Sequence, residues 1–232
     1  MNRFYKTADA APTEAGGFAV TLDGRPIRTP GKRPLTVPTR ALADAIALEW
    51  AGQGDRIRPE GMPLTQLSNM ALDRIAPQRT LMIDAVLEYA ETDLLSHRAE
   101  TPLDLAERQS QAWQPLLDWA AERHGAALET TAGLVAVPQP AQSLAALRRT
   151  VEGMDDWRLT ALQQATGLAG SVILGLALVD GRIDAVAADA AAHIDEDFQT
   201  ERWGEDAEAR DRRNSLRAEL EAVERFLRLV AA

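Results

Sequence analysis

The residues best suited to chemistry in this chain sit together near its C-terminal end, in the run Ile194-Asp195-Glu196-Asp197-Phe198-Gln199-Thr200-Glu201-Arg202-Trp203-Gly204-Glu205-Asp206-Ala207-Glu208. Carboxylates at this density could bind a metal, act as acid and base, face a basic partner, or keep a helix soluble. His193 lies three and four residues before Glu196 and Asp197, an offset that on a helix would put one nitrogen and two carboxylates on a single face. That is the pattern of a weak metal site or a metal-carboxylate hydrolase. A metal normally asks for a second histidine, and only His97 and His124 remain elsewhere. The ordinary alternative for the His193 face is a solvated helix surface, and for the other two histidines a structural place.

Other catalytic signatures are missing from the sequence. No Gly-x-x-x-x-Gly-Lys-Ser/Thr loop occurs; Gly170 and Gly175 enclose apolar residues and lead into Leu176, so a phosphate loop is excluded. No Gly-x-Ser-x-Gly elbow occurs either. Cysteine is absent, which removes thiol nucleophiles, thiolate metal sites and a disulfide framework. The formal net charge of −10 argues against nucleic acid as the main partner.

Trp203 and Phe198 stand out because large aromatics are few here and these two are held among acids. Gly204 follows Trp203 directly, which predicts a boundary between two helices and leaves Trp203 divided between local packing and partner contact. Trp50, Trp113, Trp119 and Trp157 fall within expected helices, where core packing is the default. The final helix presents Leu216, Leu220, Val223, Phe226 and Leu227 along one stripe and is read as closing a bundle.

The elements that must position these residues divide the chain. Residues 17 to 37 alternate and turn, with Phe18-Ala19-Val20-Thr21-Leu22 and Arg25-Pro26-Ile27-Arg28-Thr29 joined by Asp23-Gly24, a strong hairpin signal. Pro26, Pro30, Pro34 and Pro38 confine the strands to edges or short segments. Leu35-Thr36-Val37 is a further strand and Arg3 to Lys6 another candidate. Thr39 caps a helix burying Leu42, Ile46 and Trp50, ended by Gly52 or Gly54.

Beyond it the period is near 3.6. A helix from about Leu64 aligns Leu67, Met70, Ala71 and Ile75, and Pro77 starts the next, which carries Leu81, Val86, Leu87, Ala90 and Leu94. Thr101-Pro102-Leu103-Asp104 reads as a cap with proline at the first helical position, opening a helix that Pro115 kinks. Residues 126 to 140 read as a loop with an extended piece at Leu134 to Val137. Further helices are expected at 142–152, 156–166, 168–179, 183–202 and 206–229. The apolar run from Leu168 to Val179 is too short for a bilayer and reads as a buried helix. The expected fold is α+β: a small β-rich N-terminal domain over residues 1–62, including one helix, then a larger orthogonal α-helical bundle over 63–232. At 232 residues, 46% of them hydrophobic, the chain is long enough for a real core.

Charge is uneven along the sequence. Residues 1 to 40 hold seven Lys/Arg against three Asp/Glu, net +4, whereas residues 180 to 232 hold eight against fourteen, net −6. Either the ends attract in the fold or the asymmetry steers a partner.

An ordered series of short motifs resembles the assembly-chaperone family for the alpha subunit of the F-type ATP synthase catalytic head, over nearly the whole length. It comprises Arg3-Phe4-Tyr5-Lys6; Leu22-Asp23-Gly24-Arg25-Pro26 with Thr29-Pro30; Val37-Pro38-Thr39, Glu49-Trp50 and Gln53; and Met62-Pro63-Leu64-Thr65. It continues through Glu91-Thr92-Asp93-Leu94-Leu95, Arg98-Ala99, Gln109 with Trp113-Gln114-Pro115-Leu116, Asp156-Trp157, Asp195-Glu196-Asp197-Phe198-Gln199 and Trp203-Gly204. The resemblance implies a non-enzymatic chaperone, without cofactor or metal, that holds the unassembled alpha subunit and shields the surface later meeting the beta subunit. It also implies a functional acid just after the Trp-Gly pair: Glu205, Asp206 and Glu208 are candidates, with Glu208 favoured and not separable from Glu205. Phe198 and Trp203 are the expected apolar anchors beside it. The short stretch before the first motif lacks a presequence like that of mitochondrial members, so the expectation is a bacterial cytoplasm, with a mitochondrial matrix for eukaryotic relatives. The rival class is a general protein-interaction scaffold.

Overall fold

The computed structural model describes residues 1–132, 135–204 and 206–232. It has a small N-terminal antiparallel sheet and a larger helical C-terminal part, as the sequence predicts. The described residues form two compact units: Met1–Arg79 with Asp156–Thr160 and Arg225–Ala232, and Thr80–Asp155 with Ala161–Glu224.

In the first unit, β1 (Ala8–Pro12) pairs antiparallel with β2 (Phe18–Leu22) over their full length. The opposite edge of β2 is shared by β3 (Arg25–Pro26) and β4 (Thr36–Val37). Asp23 and Gly24 have φ of 48° and 76°, the positive pair a type I′ turn demands. Pro26 lacks an N–H, and β3 stops there. The expected strand at Arg3 to Lys6 does not form: the neighbouring Asn2 makes an isolated bridge to Arg56, Arg3 N donates to the Asp55 carbonyl at 2.9 Å, and β1 takes the edge of the sheet instead. Alanine and aspartate have poor strand propensity, so β1 exists because β2 offers it a complete ladder.

α1 (Arg40–Ala51) starts where Thr39 Oγ1 accepts from Leu42 N at 3.2 Å, and it buries Leu42 and Ile46. Glu49 on α1 reaches the start of α2 (Pro63–Met70), accepting from Leu64 N at 2.8 Å, Thr65 N at 2.9 Å and Thr65 Oγ1 at 2.7 Å. It caps a helix other than its own. Burial raises the Glu49 pKa despite these bonds.

The chain after α2 departs from expectation. Pro77 does not open a fresh helix; a wide π turn over Ala71–Ile75 and a 3₁₀ turn over Ala76–Gln78 lead into α3 (Arg79–Glu91). The π turn presents Asp73, which accepts from Thr29 Oγ1 and Gly31 N, each at 2.7 Å, pinning the loop after β3. Met82, Ile83, Val86 and Ala90 are the buried residues of α3, while Leu81 is exposed and Leu94 lies beyond it in a 3₁₀ turn.

In the second unit, α4 (Leu103–His124) runs unbroken past Pro115, with Pro102 at its cap position rather than at the first helical position. A pair of two-residue strands, β5 (His97–Arg98) and β6 (Thr131–Ala132), runs parallel; β6 lies earlier than the extended piece expected at residues 134–137. Leu134 falls outside the described residues, and no strand covers 135–137. Then come α5 (Ala141–Glu152), α6 (Asp156–Ala169), whose residues from Ala161 on belong to this unit, and α7 (Val172–Val179); every residue of α7 is buried. Gly175 owes its place to packing: a Cβ there would meet Thr166 Oγ1 at 2.6 Å.

The Asp93 carboxylate, wholly buried, holds the start of α7. It accepts from Ser171 Oγ at 2.7 Å, Leu95 N at 3.0 Å and Ile173 N at 3.3 Å. Desolvation nonetheless pushes its pKa up to about 6. Two helices, α8 (Ala185–Ala192) and α9 (Ile194–Trp203), replace the single one expected over 183–202, and α10 (Ala207–Val230) closes the chain. Leu220, Val223 and Phe226 of the expected α10 stripe are buried. Among the described residues no helix is long and apolar enough to cross a membrane.

Candidate functional site

The acidic run folds as α9, a bend, and the first turns of α10. His193 sits at the break between α8 and α9 with φ −115° and ψ 25°, so it does not continue the helix that carries Glu196 and Asp197. Its Nδ1 lies 2.9 Å from the Asp189 carbonyl and 3.1 Å from the Asp189 carboxylate. Asp197 is engaged by Arg213 of α10, which also reaches Asp189 at 3.5 Å. The single face needed for a His193–Glu196–Asp197 metal centre is therefore not formed, and among the described residues no group of three or more metal-ligating side chains converges.

Phe198 is 4% exposed, and its ring is covered by the guanidinium groups of Arg202 at 4.0 Å and Arg108 at 5.4 Å. It faces its own chain and offers no free surface, which corrects the expectation of a partner-facing anchor. The same arginines tie α9 to α4. Arg108 pairs with Glu201 at 2.8 Å and Arg202 with Asp104 at 2.7 Å. Below them Gln109 Nε2 donates to Asp195 Oδ1 at 2.6 Å while its Oε1 accepts from Ala99 N at 2.7 Å. Asp195 and Glu201 of α9 are thus used internally, holding the helix against α4, while Asp197 is held by Arg213 of α10.

Trp203 is the opposite case, with 77% of its surface exposed. Gly204 has φ 89° and ψ 164°, a combination only glycine adopts without strain, and it turns the chain out of α9. Asp206 then caps α10, its Oδ2 accepting from Ala209 N at 3.2 Å. Glu208, in the first turn of α10, is exposed, and its carboxylate makes no hydrogen bond or ion pair with the described residues. Glu205 lies outside the described residues. From Asp206 to Arg212 every residue is exposed.

One apolar residue that sequence reading passes over belongs here. Leu103, the first residue of α4, is 80% exposed. It precedes Asp104, whose 2.7 Å ion pair with Arg202 joins the start of α4 to the last turn of α9, the helix that Trp203 completes. Nothing in the sequence signals it: the first turn, Leu103-Asp104-Leu105-Ala106, holds a second leucine that is not exposed in the same way. The arrangement suits recognition of a protein surface: apolar anchors, a rim of paired charges, and spare carboxylates at a helix start.

The model of the family described as ATP12 chaperone protein matches residues 2–121, more than half of the sequence. The chain belongs to the ATP12 chaperone family. Membership makes it a chaperone of ATP synthase assembly. Relatives of ATP12 type agree over most of their length. The mitochondrial protein atp12 of Schizosaccharomyces pombe is 27% identical over 216 residues, covering 88% of this chain and 74% of that protein. The crystal structure of Atp12 from Paracoccus denitrificans is 46% identical, covers 99% of this chain and 98% of that one, and superposes with a TM-score of 0.93. An aspartate-to-lysine mutant of the same Atp12 superposes equally well, at 46% identity and a TM-score of 0.93, covering 99% and 97% of the two chains.

Proposed function

We propose that this ATP12-family chaperone binds the unassembled alpha subunit of the F-type ATP synthase, keeps it from aggregating and yields it to the beta subunit. The bend between α9 and α10 is its client-binding surface, Glu208 its principal acid and a bacterial cytoplasm its location; Asp206 is a neighbouring acid on the same surface, and Glu205 is the alternative to Glu208 that the sequence leaves open. The observation that carries this reading is the exposure of Trp203 beside the uncommitted carboxylate of Glu208, on a bend fixed by Gly204 and the Asp206 cap.

Physically, a free alpha subunit exposes an interface that is partly apolar and partly charged, and covering it requires a surface of matching character. Trp203 and Leu103 supply removable apolar area. Glu208 supplies a carboxylate for an Arg or Lys of the client. The reading is of a holding protein that carries out no reaction.

The test is suppression of alpha-subunit aggregation, followed by light scattering. Glu208→Lys is expected to abolish protection while leaving circular dichroism and the melting curve unchanged. Wild-type protection by that variant would refute the assignment.

A further inference from the structure

A second surface, in the first unit, is independent of the bend. The Arg3–Lys6 segment, the Asp23–Gly24 turn with β3, and the end of α1 surround an open groove of about 630 Å³. Its aromatic floor is a ladder. Phe4 meets Tyr5 edge-on at 5.4 Å, Tyr5 meets Trp50 at 5.7 Å, and the Tyr5 hydroxyl donates to the Trp50 carbonyl at 2.7 Å. Tyr5 is buried, whereas Phe4 is 65% exposed, so the ladder ends in an uncovered ring.

Three features define what would cover it. Arg25 and Arg28 line the groove and are exposed. Asp23, the one carboxylate among the described lining residues, is occupied by the backbone N–H groups of Lys6 at 3.0 Å and Thr7 at 2.9 Å. The Trp50 indole Nε1 is shut off from solvent without a hydrogen-bond partner among the described residues, a donor without its acceptor. The groove thus combines an apolar floor with exposed cations. Pro26 removes an N–H from the adjoining strand, so recognition by side chains is favoured over strand addition.

We propose that this groove is a peptide-binding site for an extended acidic segment bearing a large apolar side chain. The apolar side chain stacks on Phe4, and carboxylates pair with Arg25 and Arg28. Charge complementarity selects the occupant, in line with the net +4 of residues 1 to 40.

The test uses the full chain and short labelled peptides in which Asp and Glu flank Phe and Leu, with lysine-substituted counterparts as controls. Saturable anisotropy is expected for the acidic peptide alone, together with a shift of the Trp50 indole proton resonance, assigned by Trp50→Phe. The double variant Arg25→Glu/Arg28→Glu should weaken binding about tenfold or more, and added salt should weaken it too. Phe4→Ser should weaken it while preserving the circular dichroism spectrum, since the ring is exposed. Equal binding of the lysine peptide, undiminished binding by the double arginine variant, or no saturation at millimolar peptide would each overturn the proposal. Sedimentation showing self-association that the arginine variant abolishes would overturn it as well, by assigning the groove to a second copy of this chain.

Discussion

The indole N–H of Trp113 donates to the Ala191 carbonyl at 2.8 Å, two residues before α8 breaks at His193. Ala191 contributes one of the terminal carbonyls that a helix leaves without an internal partner, and a side chain from α4 satisfies it. Trp113→Phe keeps the ring and deletes the donor. It should lower the free energy of unfolding by about 1–3 kcal/mol, read from urea midpoints. An unchanged midpoint would mean the bond contributes nothing.

Asp93 should imprint a pH dependence on stability. Its folded pKa of about 6 lies above the ordinary 3.8, so between those values the folded state holds the proton more tightly than the unfolded state. The contribution of this group is therefore full below about pH 4 and is lost as pH rises through about 6, by at most roughly 3 kcal/mol at 1.36 kcal/mol per pKa unit. Asp93→Asn has no such proton. The stability of the native protein relative to this variant should shrink between pH 4 and 7; a constant difference in urea unfolding would exclude titration of Asp93.

Gly204→Ala forces a side chain into a conformation that costs about 1–3 kcal/mol. The bend should relax before either flanking helix unfolds. Faster amide exchange over residues 207–213 and weaker protection of the client are expected together, with a small change in melting temperature. Retained exchange protection would show that the bend tolerates the residue.

Leu103→Ser and Trp203→Ser remove exposed apolar surface, so stability should change by less than about 0.5 kcal/mol in each. If both side chains meet the client, each variant should weaken alpha-subunit binding by roughly tenfold, measured by titration. An effect of Trp203→Ser alone would shrink the surface to the bend.

Gly175→Ala places a methyl against Thr166 Oγ1 and Leu162 within a fully buried helix. Overpacking of this kind costs about 1–3 kcal/mol. The thermal midpoint should fall visibly, whereas Gly181→Ala, with open space around its Cβ position, is limited to the strain of its φ of 69°.

Features written in local chemistry were legible in the sequence. The Asp23–Gly24 hairpin, the Thr39 cap and the boundary at Gly204 each rest on a residue type that few alternatives can replace. Features created by neighbours were not. β1 is made of residues with no strand preference and is held by β2. The break at His193 interrupts an alanine-rich pattern that reads as continuous, because no proline or glycine marks it. Phe198 looked like a surface anchor among acids, yet two arginines fold over its ring and turn it inward. Asp93 sat unremarked in a motif, since nothing local announces that a carboxylate will be buried against the start of a distant helix. Around the bend, Gly204 marked the boundary but left Trp203 divided between packing and exposure, and nothing local marked Leu103 as exposed.

The π turn at Ala71–Ile75 is a built-in allowance for length. A wide turn holds one residue more than the α-helical winding around it while sweeping nearly the same angle, so deleting a single residue there would restore regular winding and leave the turns on either side in phase. The cost would fall on the turn itself, where Asp73 would lose its position against Thr29 and Gly31 and release the loop after β3. In length variants of this protein, a one-residue deletion at this turn would be silent in helix content and visible only where the sheet loses its tether.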